Sequence, residues 1–481
     1  MNSNERAAGA SSTPADESAS LVPCHIMIPH PEQPKFLVIK HSDGQWSPPL
    51  LRMPANRSLM YNTANINRSM MKKYRLRTTI LRIVVEAPNY ALLEVELHAS
   101  SAQQMQAVWM GSEEYSQFRP SESGGDDPIL AWLKERESRV ISKLRAPWLQ
   151  PGWYKEAEHW FSSKLVELGI QATGSTQQFK GGVPNACLLR AATARGDVFF
   201  KASYAKAPGE ARLTSRLAER WPDHVPAPLA ADESRNWMIT SDFRIMGENM
   251  PGVEHLAGFA GTLGRLQVES MEDLQSFVDL GCPNRNLDFL CNRDDRANPQ
   301  ATSMVPVLKG GKTPLDDAEL KSLEKAFASA RDECEKLESF DIPDSFSHLD
   351  YRPDNFFVEN NTIKIIDWAD VAITHPFMAF CRTLEYLAPF AKQGENLEGF
   401  ESLSEENLEE MRAAYLESFK HLGSEDGLRQ AFDCAQKVFT LFYFHYLADQ
   451  LQVIELATPH GQRLQFLLCG QARKLIGQSK G

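Results

Sequence analysis

The sequence predicts an α+β chain: a two-lobed unit, strand-rich then helical, behind a smaller α+β domain. Strand-like text with tight turns fills residues 171–243 and gives way near Gly252 to long helical periodicities. Inside the helical half sits one polar interruption, Ser347–Asp370, dense in Asp, Asn and His. The chain has 481 residues, too many for one ordinary core, and the stretch QFRPSESGGDDP sets an earlier strand-rich segment apart.

Residues 1–20 carry little apolar text and are expected to be a disordered tail. LVPCHIMIPH and KFLVIKH read as strands, NINRSMMKKYR as a helix, and TTILRIVVEA and YALLEVELHA as two strands about the turn PNY. These make an accessory α+β domain over 21–118. A linker and a helix, ILAWLKERESRVISKL, follow over 119–154, and YKEAEHWFSSKLVELGI is an amphipathic helix. The sheet lobe spans 155–245: strands in TGSTQQFK, NACLLRAAT and DVFFKAS, a helix PGEARLTSRLAERW with Pro208 near its first turn, then the strand WMITSDF. The helical lobe spans 246–481, with the polar loop at 348–370 as the candidate catalytic loop.

The formal net charge is −12 and no long basic run exists, which disfavours a nucleic-acid partner. An acidic surface suits small or cationic substrates. Neither a secretory leader nor a run of about eighteen apolar residues occurs, so a cytoplasmic protein without a membrane span is expected. The eight cysteines show no C-x-x-C pair and read as free thiols.

His348, Asp350, Asn355 and Asp367 lie in HLDYRPDN…IIDWAD. NFFVE and TIKIID read as a hairpin about Asn360–Asn361, which sets Asn355 beside Asp367. Phosphoryl transfer asks for such a set: one carboxylate to orient and deprotonate a hydroxyl, and oxygen ligands to hold Mg²⁺ on the phosphates. Asp350 is the candidate base; Asn355 and Asp367 are the candidate metal ligands. The bland readings are a turn or cap for Asp350 and Asn355 and a solvated strand end for Asp367.

His348-x-Asp350-x-x-x-x-Asn355 followed by Ile366-Asp367-Trp368 resembles the catalytic core of the aminoglycoside phosphotransferase and choline kinase family, proteins of protein-kinase-like fold. The resemblance covers roughly 155–460. It implies Mg²⁺ and ATP or GTP as phosphoryl donor, a small-molecule hydroxyl as acceptor, and a bilobal fold. It also implies that Lys201 holds the α- and β-phosphates, that Glu210 is its ion-pair partner, and that WMITSDF is the hinge. STQQFKGGVPN is the candidate nucleotide loop, with Ser175, Thr176, Gly181 and Gly182; no G-x-G-x-x-G is present, and in this family the loop is often not glycine-rich. Leu349 and Arg352 stand where the family commonly has Gly and a second His. Thr374-His375-Pro376 stands where it often has Gly-Asp-Pro.

His348 joins the catalytic set, with bracing of the loop as its other reading. Arg352 contacts phosphate or a substrate carboxylate, or braces the loop. Lys201 has an exposed strand end as its alternative, and Glu210 an ordinary carboxylate at a helix N-terminus. The stripe VFTLFYFHYL is helix core or an aromatic cage for a quaternary ammonium. Glu385 meets a substrate amine or makes a salt bridge.

LVIKHSDGQWSPPLLRM faintly resembles the opening of a Nudix hydrolase domain, but NTANINRSMMKKYRL lacks the paired glutamates of its metal helix. An accessory or dimerising role fits that domain better. The rival classes are a nucleotide-binding pseudokinase and a protein kinase. The complete Lys201, Asp350, Asn355 and Asp367 set argues against the first. The absence of an A-P-E-terminated segment between Asp367 and His375 argues against the second. Aminoglycoside-like, choline-like, nucleoside-like and amino-alcohol acceptors stay open, as does the oligomeric state.

Overall fold

A computed structural model of the chain describes residues 21–40, 44, 46–54, 59–100, 106–118, 127–204, 208–243, 251–292, 299–393, 400 and 402–479. The expected tail at 1–20 and most of the expected linker lie outside these residues. The described chain forms two compact units. The first holds the residues up to Ser142 with Pro147–Tyr154 and Gln178–Val183; the second holds Lys143–Ala146, Lys155–Gln177 and everything from Pro184.

In the first unit, strands β1 (Leu21–Met27), β4 (Leu50–Pro54), β5 (Leu76–Ala87) and β6 (Tyr90–Ser100) form a sheet in the order β4-β1-β6-β5. Pro88 and Asn89 turn the chain between β5 and β6, as their turn chemistry predicts. A second sheet runs β3 (Trp46–Ser47), β2 (Phe36–Lys40), β7 (Ala107–Met110). Helix α1 (Thr63–Tyr74) buries Ile66, Met70 and Tyr74, which recur every fourth residue, in one core with Ile26, Leu93 and Val95.

The short helix α2 (Ser112–Phe118) precedes α3 (Pro128–Ser138). Asp127 caps α3 by accepting from Ile129 N at 2.8 Å. The helix ends at Arg139 in the left-handed region, short of the expected Leu144; Val140 and Ile141 beyond it are exposed and offer no buried stripe to extend it. Charge is buried here as a network. Arg82 Nε donates to Glu94 Oε2 at 2.6 Å, Arg136 Nη1 reaches Glu94 Oε1 at 3.1 Å, and Glu135 takes the rest of the Arg82 fork.

The second unit is bilobal. Its sheet lobe follows helix α4 (Trp153–Glu167) and strand β8 (Gln177–Lys180), which is shorter than the strand expected from Thr173. Strands β9 (Ala186–Thr193), β10 (Gly196–Ser203), β11 (Ala230–Asp232) and β12 (Trp237–Ser241) pair antiparallel in the order β11-β12-β10-β9. Helix α5 (Glu210–Arg220) packs Leu213 and Leu217 inward; it starts at Glu210 itself, with Pro208 just outside.

The helical lobe contains α6 (Leu256–Met271), α7 (Leu274–Asp279), α8 (Leu287–Asn292), α9 (Pro299–Leu308) and α10 (Asp317–Glu338) before the polar loop. After it come α11 (Phe377–Gln393), α12 (Glu405–Glu417), α13 (Glu425–Leu451) and α14 (Pro459–Gln478). Two antiparallel strand pairs lie between these groups: β13 (Ser345–His348) pairs β16 (Val371–Thr374), and between them in the chain lies the hairpin of β14 (Phe356–Glu359) and β15 (Thr362–Ile365). The stripe at 438–447 is core: Val438, Phe439, Leu441, Phe442 and Phe444 are buried in one cluster with Phe377 and Phe432. No described helix is long and apolar enough to cross a membrane. Cys24, Cys187, Cys282, Cys334, Cys381, Cys434 and Cys469 are buried and unbridged.

Candidate active site

The candidate site is assembled from four local devices. On β10, Lys201 and Ser203 share one face, as alternate strand residues must. Both reach Glu210 at the start of α5: Lys201 Nζ stands 2.6 Å from Glu210 Oε1, and the Ser203 hydroxyl donates to Oε2. Asn236 fixes the helix start, accepting from Ala211 N at 2.9 Å and donating to Ser203 O at 3.1 Å and Tyr204 O at 3.0 Å. Ser203 and Asn236 went unnoticed in the sequence. Ser203 had a signal in its spacing from Lys201, while Asn236 had none.

The second device is the β14–β15 hairpin. Asn360 and Asn361 both have positive φ, 50° and 59°, the turn that a two-residue hairpin of right-handed strands prefers. It brings Ile366 N to Asn355 O at 2.9 Å, so Asn355 and Asp367 are neighbours. Asp367 has φ 63°, a sparsely populated conformation that its packing must hold. Its Oδ1 lies 2.7 Å from Lys201 Nζ. Lys201 thus bridges two carboxylates, with side chains 13% exposed for Lys201, 1% for Glu210 and 40% for Asp367. Burial alone lowers the Lys201 pKa, but Asp367 and Glu210 outweigh it and hold the ammonium above its ordinary value.

The third device holds Asp350. Leu349 N donates to Asp370 O at 2.8 Å, continuing the β13–β16 pairing. Asn355 Nδ2 donates to Asp350 O at 2.8 Å and to Asp350 Oδ2 at 3.1 Å. Arg352 Nε lies 3.0 Å from Asp350 Oδ1, and its Nη2 lies 3.1 Å from Asp354. Tyr351 anchors the loop from below: its hydroxyl donates to Phe259 O at 2.7 Å, and its ring stacks on Phe259 at 3.8 Å.

The fourth device is His348. Its Nε2 donates to Ile366 O at 3.1 Å, next to Asp367, and its ring meets Trp368 edge-on at 4.7 Å. Burial pushes its pKa down, against the pull of Asp350. A neutral ring with Nε2–H committed and Nδ1 buried without a partner is a brace for the Asp367 turn. In place of the family's acidic residue, His375 Nδ1 accepts from Phe377 N at 3.3 Å, as a cap at the start of α11. Glu385 is paired with Lys474.

Ser175 is exposed and Thr176 half-buried, ahead of β8. Gly181 and Gly182 have a packing account within the first unit. Gly182 has φ 77°, its carbonyl accepts from Ile83 N at 3.0 Å, and a Cβ there would lie 2.9 Å from Ile80 Cγ2. Gln178 grips the same strand, accepting from Ile80 N at 2.7 Å and donating to Ile80 O at 2.9 Å.

Mg²⁺ is the metal that the resemblance implies. Among the described residues no group of three His, Cys, Asp or Glu could hold a metal alone. A metal shared with phosphates needs fewer protein ligands, one or two oxygen donors. The donors present fit that case. Asn355 Nδ2 is committed to Asp350, which leaves Oδ1 as an acceptor, and Asp367 brings a carboxylate whose Oδ1 meets Lys201.

Residues 177–414 match the phosphotransferase enzyme family. This part of the chain belongs to it. The family carries the hydroxyl-acceptor transferase chemistry that the motif implied, and the sheet lobe and helical lobe are its kinase-like lobes.

Among solved structures, similar ones include a choline/ethanolamine kinase family protein from Mesorhizobium loti (14% identity, TM-score 0.40, covering 66% of this chain and 94% of that one). An ethanolamine kinase from Plasmodium vivax is similar at 13% identity and TM-score 0.41, over 76% and 99% of the two chains. A macrolide 2′-phosphotransferase from Brachybacterium faecium is similar at 14% identity and TM-score 0.37, over 63% and 97%. No curated protein is significantly similar in sequence.

Proposed function

We propose that the chain moves the γ-phosphoryl group of ATP or GTP to a hydroxyl of a small molecule. The observation that carries this reading is the Lys201 ammonium lying between Glu210 and Asp367, with Asp350 held beside the same turn by Asn355. Lys201 takes the α- and β-phosphates and Glu210 keeps it aimed. The Asn355 side-chain amide oxygen and the Asp367 carboxylate would hold Mg²⁺ on the phosphates, where its charge would favour the transfer. Asp350 orients the acceptor hydroxyl and takes its proton as the acceptor oxygen bonds to γ-phosphorus and the bond to the β–γ bridging oxygen breaks. His348 acts through the Ile366 carbonyl, as a positioning residue for Asp367. Arg352 holds the Asp350 carboxylate in place.

The test is a panel of hydroxyl compounds incubated with Mg²⁺ and ATP or GTP, scored by acceptor-dependent nucleoside diphosphate release and by mass. A product heavier by one HPO₃ supports the reading. Wild-type protein that binds nucleotide and yields no product on any acceptor points instead to a nucleotide-binding pseudokinase.

A further inference from the structure

We propose that the acceptor pocket beside Asp350 takes a hydroxyl compound bearing a carboxylate, and that Arg382 holds this carboxylate; the inference rests on the phosphotransferase reading above. Helix α11 places Arg382 and Tyr386 one turn apart, on one face. Tyr386 tethers that face to the catalytic loop: Arg352 Cζ lies 5.2 Å from its ring centroid, and Arg352 Nε lies 3.0 Å from Asp350 Oδ1.

Helix α13 supplies the second wall. Arg382 Cζ lies 4.3 Å from the ring centroid of Tyr443, and Tyr443 stacks on Tyr446 at 5.8 Å. One turn further along, Gln450 donates to Asp370 Oδ1 at 3.3 Å, and the Asp370 carbonyl takes the N–H of Leu349, the residue before Asp350. Both walls therefore converge on the Asp350 loop. Burial is the larger cause of the raised phenol pKa values of Tyr443 and Tyr446. Asp350 and Arg382 act on both phenols with opposite sign, which sets carboxylate and guanidinium about the same ring pair.

Asp370 also acts on Tyr446 and Arg463 on Tyr443, and several other charges near these walls are paired. Asp449 faces Arg285 Nη2 at 2.9 Å, Asp350 faces Arg352, and Glu385 faces Lys474. Arg382 has the face of Tyr443 and, among the described residues, neither a hydrogen bond nor an ion pair. A half-buried guanidinium without a counter-ion matches a carboxylate through two parallel N–H···O bonds. An ammonium placed there meets like charge from Arg382. The net charge of −12 describes the whole chain, and the cationic acceptor expected from it does not suit this wall.

The test uses the full chain with Mg-ATP or Mg-GTP and three matched sets of acceptors: hydroxy acids, the corresponding hydroxy amides, and amino alcohols. Product is expected from a hydroxy acid, with its amide and the matching amino alcohol much poorer. Arg382→Gln should raise the KM for that acid by roughly 30- to 100-fold, the scale of a hydrogen-bonded charged contact, with kcat and the KM for nucleotide little changed. Arg382→Lys should recover part of the loss. Turnover of amino alcohols with none of hydroxy acids overturns the carboxylate pocket and leaves the phosphotransferase reading standing. So does an unchanged KM in Arg382→Gln. No product in any set overturns both.

Discussion

Lys201 Nζ lies 2.6 Å from Glu210 Oε1 and 2.7 Å from Asp367 Oδ1, joining the sheet lobe to the Asp367 turn through a single ammonium. The arrangement has an energetic signature. Glu210 is 1% exposed, so removing Lys201 leaves a buried carboxylate without its cation. Lys201→Met should destabilise the protein by about 3–5 kcal/mol, the usual effect of breaking a buried pair from one side. The double variant Lys201→Met/Glu210→Gln should regain most of that stability and still fail to bind nucleotide. Denaturant unfolding and nucleotide titration of both variants make the comparison. A double variant that binds nucleotide normally contradicts the phosphate role of Lys201.

Asp350→Asn keeps the hydrogen bond from Asn355 and removes the proton acceptor. Turnover should fall by roughly 10²–10⁴-fold, the usual general-base contribution, with Mg-nucleotide affinity little changed. Steady-state rates on an identified acceptor check the first figure and calorimetry the second. Near wild-type turnover removes Asp350 from the mechanism.

The contacts of Gln178 bear on how the chain can be cut. Its amide satisfies both the N–H and the C=O of Ile80, and Trp148 Nε1 donates to Val183 O at 2.8 Å. A fragment starting at Leu144 keeps Gln178–Val183 and loses the strand they bind. It should be insoluble or unfold without cooperativity. Gln178→Ala in the full chain should cost about 1–3 kcal/mol, through buried backbone groups left unpaired. A soluble, cooperatively folding fragment contradicts this account.

His375 gives a pH dependence with a definite sign. Burial pushes its pKa down to about 3, from an ordinary 6.5. Between these values the unfolded chain binds a proton that the folded one refuses. Stability from this group is therefore complete above about pH 6.5 and falls as pH drops toward 3, by about 1.4 kcal/mol per unit at most. His375→Asn keeps an acceptor for Phe377 N and does not titrate. Its unfolding free energy should fall less steeply than wild type between pH 6.5 and 4.5, and parallel curves contradict the assignment.

Much of this was legible in residue order. The alternation in NFFVE and TIKIID, with Asn360–Asn361 between, announces a hairpin that must set Asn355 beside Asp367. The long helical periods after Gly252 announce the helical lobe. Three things were not legible, each because it depends on contacts between segments far apart in the chain. The allegiance of Gln178–Val183 comes from partners about a hundred residues earlier. The β13–β16 pairing that carries Asp350 joins two four-residue strands too short to show a pattern. Arg382, with no ion pair among the described residues, stands out only once Arg285, Arg352 and Lys474 are seen with their carboxylates.

Calorimetry of wild type and Asp367→Ala with a non-hydrolysable ATP or GTP analogue, with and without Mg²⁺, tests the central claim most directly. The account predicts that wild type binds the analogue much more tightly with Mg²⁺ than without it, and that Asp367→Ala loses this difference because metal and phosphates bind as one unit. Wild type that binds neither analogue, or an Asp367→Ala variant that binds Mg-nucleotide as tightly as wild type, contradicts it.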